Sequence, residues 1–482
     1  MGMKVGAATS RSKTEISLPT ESVNTLDQTL AKYPNMPIKA VQDRFQGTGD
    51  FLAFRPNGAL SAQEGYFKFG SDAVCYGRSP AVSQSLATSL PDVLPDTKLI
   101  DGAVRLPIDP NEIIDNLRLE RYPHNPPAYY QTALKRIYYC LRPLTNESMR
   151  HEIQRFHARG WKQIRFPHWP VDTTVENLCE KLMLLSLAAR GVEQVPFVWF
   201  WPEGARGCVT MTHDVETERG RDRCRELMDL DDSSGIKASF QIVPEARYAV
   251  SEKFLASIRE RGFEIGVQDL NHDGRLFDTR EEFLRRAKSI NRYGREYGAG
   301  GFRAGVLYRR PEWYDALEFS FDMSMPNVAH LDPQRGGCCT VMPYFIGDIL
   351  EIPVTTIQDY TLFHLLHEHS IDLWKTQLDI ILAKNGLASF IVHPDYVIDP
   401  KPRRVYEELL SYLRELRERE NLWLALPSEI DRWWRARSKM SVVADGKSFR
   451  IEGQGSERAV LAFARSVDGK LVCEPAPARS QS

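Results

Sequence analysis

Short apolar runs alternate with longer amphipathic segments along the chain after Pro196. Short apolar runs between turn signals are typical of buried strands, and segments with apolar residues at helical spacing indicate helices that bury one face. The alternation predicts βα units, in which helices join parallel strands. The predicted strands are Gly207–His213, Lys237–Pro244, Phe263–Asp269, Gly301–Gly305, Phe321–Met325, Ile349–Val354, Leu387–His393 and Leu422–Leu426. The predicted helices include Ser251–Arg261, Thr279–Tyr297 and Ile371–Lys384.

Seven or eight such units favour a closed barrel over an open sheet. We therefore predict an α/β fold in which residues 201–435 form a distorted (β/α) barrel. An N-terminal α+β region is expected at residues 61–200, and a small C-terminal β appendage at residues 438–482, where apolar and polar residues alternate in short pieces.

The region before the barrel has a weaker pattern. Residues 1–60 are rich in polar residues, Gly and Pro with little periodicity, which predicts a flexible arm. Within residues 61–200, the run GYFKFGSDAVCYGR looks extended. We predict helices at Asn146–Gly160 and Thr174–Arg190 and a strand at Gln163–Pro167.

The composition excludes several classes of function. The chain has 482 residues and a formal net charge of -2, so it offers no overall electrostatic reason to bind nucleic acid. We find no apolar segment of the length that a secretory signal or a membrane span requires. The eight scattered cysteines are more plausible as reduced thiols than as a disulfide framework. These features together predict a soluble, cytoplasmic protein.

Polar residues collect where the predicted barrel strands end. Thr212-His213-Asp214-Val215-Glu216 ends the first strand, Gln268 to Asp273 follows the third, Arg303 ends the fourth and His393 ends the seventh. The carboxyl ends of barrel strands meet at one mouth, so these groups are expected to lie together. A single such residue is often only a helix cap, but several strand ends with Asp, His and Arg predict an active site.

At these motifs the chain resembles the polysaccharide deacetylase superfamily, the NodB-like or carbohydrate esterase 4-type enzymes, across about residues 205–400. The spacing Asp214-x-Glu216 resembles a variant branch that includes allantoinase-like amidohydrolases. The resemblance implies a distorted barrel of about seven strands, a divalent metal that is commonly zinc, and hydrolysis of N- or O-acetyl groups.

The resemblance also implies roles by position. Asp214 matches the general base, and Arg303 matches the arginine that steadies it. His393 matches the histidine that protonates the leaving amine. Glu216 and His272, with help from Asp214, match the metal ligands.

Three further residues are candidates for substrate binding. Asp322 falls where an acidic or polar groove residue is common in the superfamily. Trp313 follows the fourth strand and either packs or lines the mouth. Gln268 occupies the first position of the second motif, which reads His-x-x-x-His in the superfamily and Gln268-x-x-x-His272 here.

Gln268 leaves three interpretations open, because an amide oxygen is a weaker zinc ligand than imidazole, thiolate or carboxylate. Glu216 and His272 bind a metal with help from neighbouring groups; or hydrolysis proceeds without a metal; or the barrel binds a glycan or partner without catalysis. The first hypothesis is a hydrolase that removes an N-acyl group from an amino sugar, a glycan precursor or another N-acylated small molecule. The sequence leaves the oligomeric state undetermined.

Overall fold

The computed structural model describes residues 36–57, 60–86, 89–123, 159–397, 399–445 and 448–476. The predicted helix at Asn146–Gly160 therefore lies almost entirely outside the described residues, and so do residues 1–35 of the predicted arm. The domain boundaries drawn from the sequence stay a prediction.

The described part of the region before the barrel contains short strands and three helices. Its strands are β1 (Met36–Pro37), β2 (Ala53–Pro56), β3 (Glu64–Lys68), β4 (Val74–Arg78), β5 (Lys98–Ile100), β6 (Ala103–Leu106) and β7 (Gln194–Val198). Its helices are α1 (Lys39–Arg44), α2 (Pro110–Arg118) and α3 (Thr174–Arg190). The order β1-β2-β6-β5 forms one small sheet, and β3 and β4 form a hairpin within the predicted extended run. In α1, Val41 is fully buried and Ala40 and Arg44 are nearly so, which shows that this helix packs against the rest of the described region.

One prediction for this region is confirmed and one is wrong. The helix at Thr174–Arg190 has the predicted bounds, and Gly191 ends it in the left-handed conformation that glycine tolerates. The predicted strand at Gln163–Pro167 is absent from the described chain, which forms a short 3₁₀ turn at Trp161–Gln163 instead. Two prolines follow within a few residues and cannot donate to a strand ladder, which explains the difference.

The barrel alternates strands with helices. Its strands are β8 (Gly207–Val215), β9 (Ala238–Ile242), β10 (Glu264–Gln268), β11 (Gly301–Arg303), β12 (Phe321–Asp322), β13 (Tyr344–Ile346), β14 (Ile349–Glu351), β15 (Leu387–Ile391) and β16 (Leu422–Leu424). Its helices are α4 (Glu218–Ser233), α5 (Glu252–Arg259), α6 (Arg280–Tyr297), α7 (Asp372–Ala383), α8 (Pro400–Glu420) and α9 (Pro427–Arg437). Each of the eight predicted strands is present at its predicted place.

The strands form one curled sheet in the order β13-β14-β12-β11-β10-β9-β8-β15, with β16 also paired to β8. All pairs are parallel except β13 with β14. Between β14 and β15 the described chain has no ladder of paired strands. Individual hydrogen bonds cross this gap. The Thr355 hydroxyl, for example, donates to the Leu387 carbonyl at 2.7 Å. The predicted distorted (β/α) barrel is therefore confirmed.

Local sequence signals set the helices of the barrel. The hydroxyls of Thr217, Ser251 and Thr279 each accept a backbone N–H in the first turn of the helix that follows. Such caps satisfy donors that a helix start leaves without partners. Because each cap fixes where its helix begins, it also fixes the length of the loop over the barrel mouth.

The C-terminal region is the predicted β appendage. Its strands are β17 (Ser441–Asp445), β18 (Ser448–Glu452), β19 (Leu461–Val467) and β20 (Lys470–Pro475). β19 pairs with β20 on one side and antiparallel with β7 on the other, so this region joins the strand that precedes the barrel. In α9, Trp433 and Trp434 are buried in the same hydrophobic cluster as Phe45 and Phe321.

Two buried arginines tie the regions together. The Arg437 guanidinium donates to four backbone carbonyls, among them those of Val198 in β7 and Arg44 in α1. Arg309, in the loop after β11, makes a two-pronged ion pair with Glu120, with side chains 0% and 4% exposed. Contacts of this kind fix the region before the barrel against a loop at the barrel mouth.

Candidate active site

The described structure brings five of the predicted site residues together where parallel strands end. Asp214 lies in β8, Gln268 ends β10, and Glu216, His272 and His393 lie in the loops that follow their strands. We call these five residues the mouth cluster. Asp214, Glu216 and His393 each have one side-chain atom, a carboxylate oxygen or a ring nitrogen, that lies within 4.8 Å of the corresponding atoms of the other two.

Arg303, at the end of β11, fixes Asp214 from behind. Its side chain is fully buried, and its Nη1 donates to Oδ1 of Asp214 at 2.5 Å and to the Thr212 hydroxyl at 2.7 Å. Its Nε donates to the Met323 carbonyl at 3.0 Å. The guanidinium therefore compensates the charge of a carboxylate that is only 3% exposed, and it leaves Oδ2 of Asp214 directed to the mouth cluster.

Gln268 lies between the two carboxylates of the mouth cluster. Its Nε2 donates to Oδ2 of Asp214 at 3.1 Å and to Oε1 of Glu216 at 3.2 Å. Its Oε1 is buried and has no hydrogen-bond partner in the described structure. The neutral amide thus lies between two carboxylates, one of which, Glu216, keeps 19% of its side chain exposed.

His272 lies on the other side of Glu216. Its Nε2 is 2.9 Å from Oε1 of Glu216, and its backbone has a φ of +53°. A Cβ on Gly305 would lie 2.6 Å from Oδ2 of Asp269 and 3.0 Å from Cδ2 of His272, so glycine lets both side chains pack closely here. The imidazole is therefore fixed by close packing and by its contact with Glu216.

The charges around Glu216 set its ionisation. Burial raises the pKa of Glu216, but the charge and hydrogen bonds of His272, followed by those of His393, outweigh burial and hold that pKa well below its usual range. Burial lowers the pKa of His272, but Glu216 and then Asp269 together raise it, so that the net change is upward. The pair therefore favours an ionised Glu216 beside a protonated His272.

Asp359 orients His393. Oδ1 of Asp359 accepts the Nδ1 proton of His393 at 2.7 Å, and Oδ2 accepts the backbone N–H of the same residue at 2.8 Å. Burial lowers the pKa of His393, but Asp359 and then Glu216 raise it well above its ordinary value. Nε2 of His393 is 3.6 Å from Oε1 of Glu216 and so points into the mouth cluster with a proton to give.

Sequence reasoning missed Asp359 and the role of His213. Asp359 stands 34 positions before His393 and resembles any acidic residue before a helical turn. His213 is fully buried, with Nδ1 2.9 Å from the Val392 carbonyl and Nε2 2.9 Å from Oδ2 of Asp231. The first of these contacts joins β8 to the segment that carries His393.

The two remaining candidates, Asp322 and Trp313, contact residues other than those of the mouth cluster. Asp322 is fully buried in β12 and accepts the Ser324 hydroxyl at 2.8 Å. Burial raises the pKa of Asp322 and that of Glu351, its register partner in β14. Trp313 packs with Phe277 and Phe283, at ring-centroid distances of 6.1 and 5.7 Å.

The donor atoms of the mouth cluster fit a divalent cation in part. Asp214, Glu216 and His393 bring two carboxylates and one imidazole within 4.8 Å of one another, and His272, the imidazole ligand predicted from the sequence, is not part of that group. The Gln268 amide is turned so that its N–H groups, and not its oxygen, face both carboxylates. In that orientation the amide offers the cation no ligand.

A scan against protein-family models finds no match, and a search of curated proteins finds no significant one. A Mycobacterium smegmatis protein described as a polysaccharide deacetylase matches with a TM-score of 0.41 and 17% identity, over 52% of this chain and 98% of that one. A structure of Puue allantoinase matches with a TM-score of 0.38 and 14% identity, over 49% and 92%. A mutant of a CE4-family pseudoenzyme with restored enzymatic activity matches with a TM-score of 0.31 and 15% identity, over 48% and 69%.

Proposed function

We propose that this chain is a hydrolase that removes an N-acyl group, most simply acetyl, from an amino sugar or a glycan precursor. The observation that carries the proposal is the proximity of Asp214 and His393: a carboxylate oxygen of the first lies within 4.8 Å of a ring nitrogen of the second. Each member has a fixed partner of opposite charge, Arg303 for Asp214 and Asp359 for His393. Amide hydrolysis needs a base and an acid placed in this way.

The proposed reaction starts at Oδ2 of Asp214, which takes a proton from a water molecule. The hydroxide adds to the acyl carbon, and the carbon–nitrogen bond of the tetrahedral intermediate then breaks. Nε2 of His393 gives its proton to the departing nitrogen, so that the products are a carboxylic acid and an amine. Arg303 holds Asp214 in place through a charge-assisted hydrogen bond, and Asp359 raises the pKa of His393 and directs the ring at the nitrogen.

A divalent cation would acidify the attacking water and stabilise the developing oxyanion. Glu216, His272 and Asp214 would hold the cation, as the resemblance to the superfamily implies. Glu216 is suited to this role because its pKa is held well below the usual range, so it is ionised at neutral pH.

One observation favours a second candidate, a hydrolase that works without metal. The Gln268 amide bridges Asp214 and Glu216 through hydrogen bonds, where a cation would otherwise compensate the two charges. A third candidate is a barrel that binds a glycan or a partner without catalysis. It follows if the chain hydrolyses no acyl group either with a bound metal or without one.

We further propose a cytoplasmic location. Among the described residues, no helix has the length and apolar character to cross a membrane. The seven cysteines in the described part of the chain are all free thiols, as expected in a reducing compartment.

The test is release of acetate from N-acetylglucosamine and its β-1,4-linked dimer by the full chain, purified without chelators and assayed for bound metal. We expect Asp214→Asn to abolish hydrolysis, because the amide keeps the shape of the carboxylate and removes the base. The variant also leaves Arg303 without its buried counter-charge, so circular dichroism must show a retained fold before the loss is assigned to the base. Asp379→Asn, an exposed position on α7, is the matched control and should retain full activity. Turnover by the Asp214→Asn variant near that of the parent would contradict the assigned base.

A further inference from the structure

Arg247 lies at the barrel mouth, in the loop between β9 and α5. Hydrogen bonds fix this loop on both sides of Arg247. The backbone N–H of Glu245 donates to the Leu270 carbonyl at 2.9 Å, and the Tyr248 hydroxyl donates to the Val215 carbonyl at 2.6 Å. The first anchor is in the loop after β10 and the second is at the end of β8, and both segments carry members of the mouth cluster. Arg247 is therefore held close to the candidate active site.

The guanidinium of Arg247 has no counter-charge in the described structure. Its Nε is buried and makes no hydrogen bond, and we find no ion pair or hydrogen bond from its other nitrogens to a described residue. The acidic residue of the same loop, Glu245, instead accepts the Tyr293 hydroxyl at 3.0 Å. A buried donor without a partner is costly, so a ligand that accepts a hydrogen bond from it would bind here favourably.

The carboxylates of the mouth cluster are matched without Arg247. Asp214 pairs with Arg303, and Oε1 of Glu216 lies 2.9 Å from Nε2 of His272. The charge of Arg247 also reaches His272, whose pKa it lowers. Arg247 therefore adds a positive charge to this side of the mouth for which the described chain supplies no acid.

We propose that Arg247 binds an anionic group of the substrate, a carboxylate or a phosphate, so that the chain acts on an acidic N-acylated compound. This inference rests on the proposed function and narrows its substrate class. A guanidinium suits both groups because its planar N–H donors can bond to two oxygens at once. Since the proposed base lies in β8 and the proposed acid follows β15, we expect Arg247 to affect substrate binding more than the chemical step.

The experiment measures the binding of three product amines to the full chain by calorimetry: glucosamine 6-phosphate, muramic acid and glucosamine. They share one ring and differ in the anionic group, which is a phosphate, a carboxylate or none. We expect the parent to bind one of the acidic amines about tenfold or more tightly than glucosamine, and the two arms show which anion is preferred. Arg247→Gln should remove this preference because it removes the charge. Arg247→Lys should keep part of it, because a point charge lacks the planar fork.

The matched control is Arg225→Gln, at an exposed arginine on α4, which should leave the preference unchanged. Circular dichroism and an unchanged affinity for glucosamine would show that Arg247→Gln keeps its fold and its site. Acetate release from the corresponding N-acetyl compounds gives the second readout. There we expect Arg247→Gln to raise KM for the preferred acidic substrate and to change kcat little.

Equal affinity of the parent for all three amines would overturn the inference, and so would an equal preference in the parent and Arg247→Gln. Acetate release from N-acetylglucosamine by that same protein would leave the proposed hydrolase intact. A preference that depends on Arg247, in a chain that releases no acetate, would support the anion site and contradict the hydrolase. The two failures are therefore distinguishable.

Discussion

Asp359→Asn tests how the structure prepares His393 as the proton donor. Asp359 accepts two hydrogen bonds from His393, from Nδ1 at 2.7 Å and from the backbone N–H at 2.8 Å. The asparagine has the same shape but no charge and only one accepting oxygen. If that oxygen keeps the backbone bond, the new NH₂ group faces Nδ1 and favours a neutral ring with its proton on Nε2.

The size of the effect follows from the lost charge. A buried hydrogen bond to a charged group contributes about 1.5–3 kcal/mol, and about 1.4 kcal/mol corresponds to a factor of ten. We therefore expect hydrolysis at neutral pH to fall by about 10- to 150-fold. Because the pKa of His393 is raised in the parent, activity should be lost as pH rises through that raised pKa. In the variant the pKa is lower, so the loss begins at lower pH and the two rates converge in acid.

The assay measures acetate release against pH for the parent, Asp359→Asn and the surface control Asp379→Asn. Nuclear magnetic resonance of labelled histidine reports the charge and tautomer of the ring directly, with the His393 signal identified by its loss in His393→Asn. A rate ratio between parent and Asp359→Asn that stays constant at every pH would refute the electrostatic role. So would an unchanged titration of the His393 ring.

Arg303→Lys should lower hydrolysis at least tenfold with the fold retained, because a point charge cannot reproduce the three donor bonds of the planar guanidinium; acetate release would check this. Glu120→Gln should lower the free energy of unfolding by about 3–5 kcal/mol, since it leaves Arg309 as an uncompensated buried charge. In the same denaturant titrations, Glu420→Gln, at an ion pair near the surface, should lower the free energy of unfolding far less. Burial raises the pKa of Asp332 to about 6, so Asp332→Asn should be more stable than the parent above that pH, by at most about 3 kcal/mol. The extra stability of Asp332→Asn should shrink as pH falls below about 4, because both the native and the unfolded parent then bind the proton. Denaturant unfolding at several pH values measures this, and a stability difference that does not depend on pH would contradict it.

The barrel was predictable because its signals are local. Each strand is a short apolar run, and helices such as α6 (Arg280–Tyr297) begin at a capping residue and bury one face. The same parallel order brings the strand ends to one mouth, so the sequence alone predicts that Asp214, Arg303 and His393 lie near one another. The strand expected at Gln163–Pro167 was wrong because the apolar run there is too short to outweigh the prolines around it.

The partners of these residues were not predictable, because they depend on contacts between distant parts of the chain. Asp359 reaches His393 across a loop, and nothing in its neighbourhood distinguishes it from a capping group. The bridging position of Gln268 between two carboxylates is likewise a result of side-chain orientation. The motif indicated a departure at this residue, and only the geometry shows which atom of the amide faces the charges.

The antiparallel pairing of β7 with β19 has a consequence for the protein during its synthesis. The ribosome synthesises β7 before the barrel and β19 after it, so β7 has no β19 to pair with until the whole barrel has been made. A strand with an open edge invites pairing with other nascent chains. Pro196, at the centre of β7 and opposite Phe463 in the final pairing, has no N–H to offer an intruding strand. Pro196 thus hinders the pairing of β7 with other chains before β19 has been synthesised.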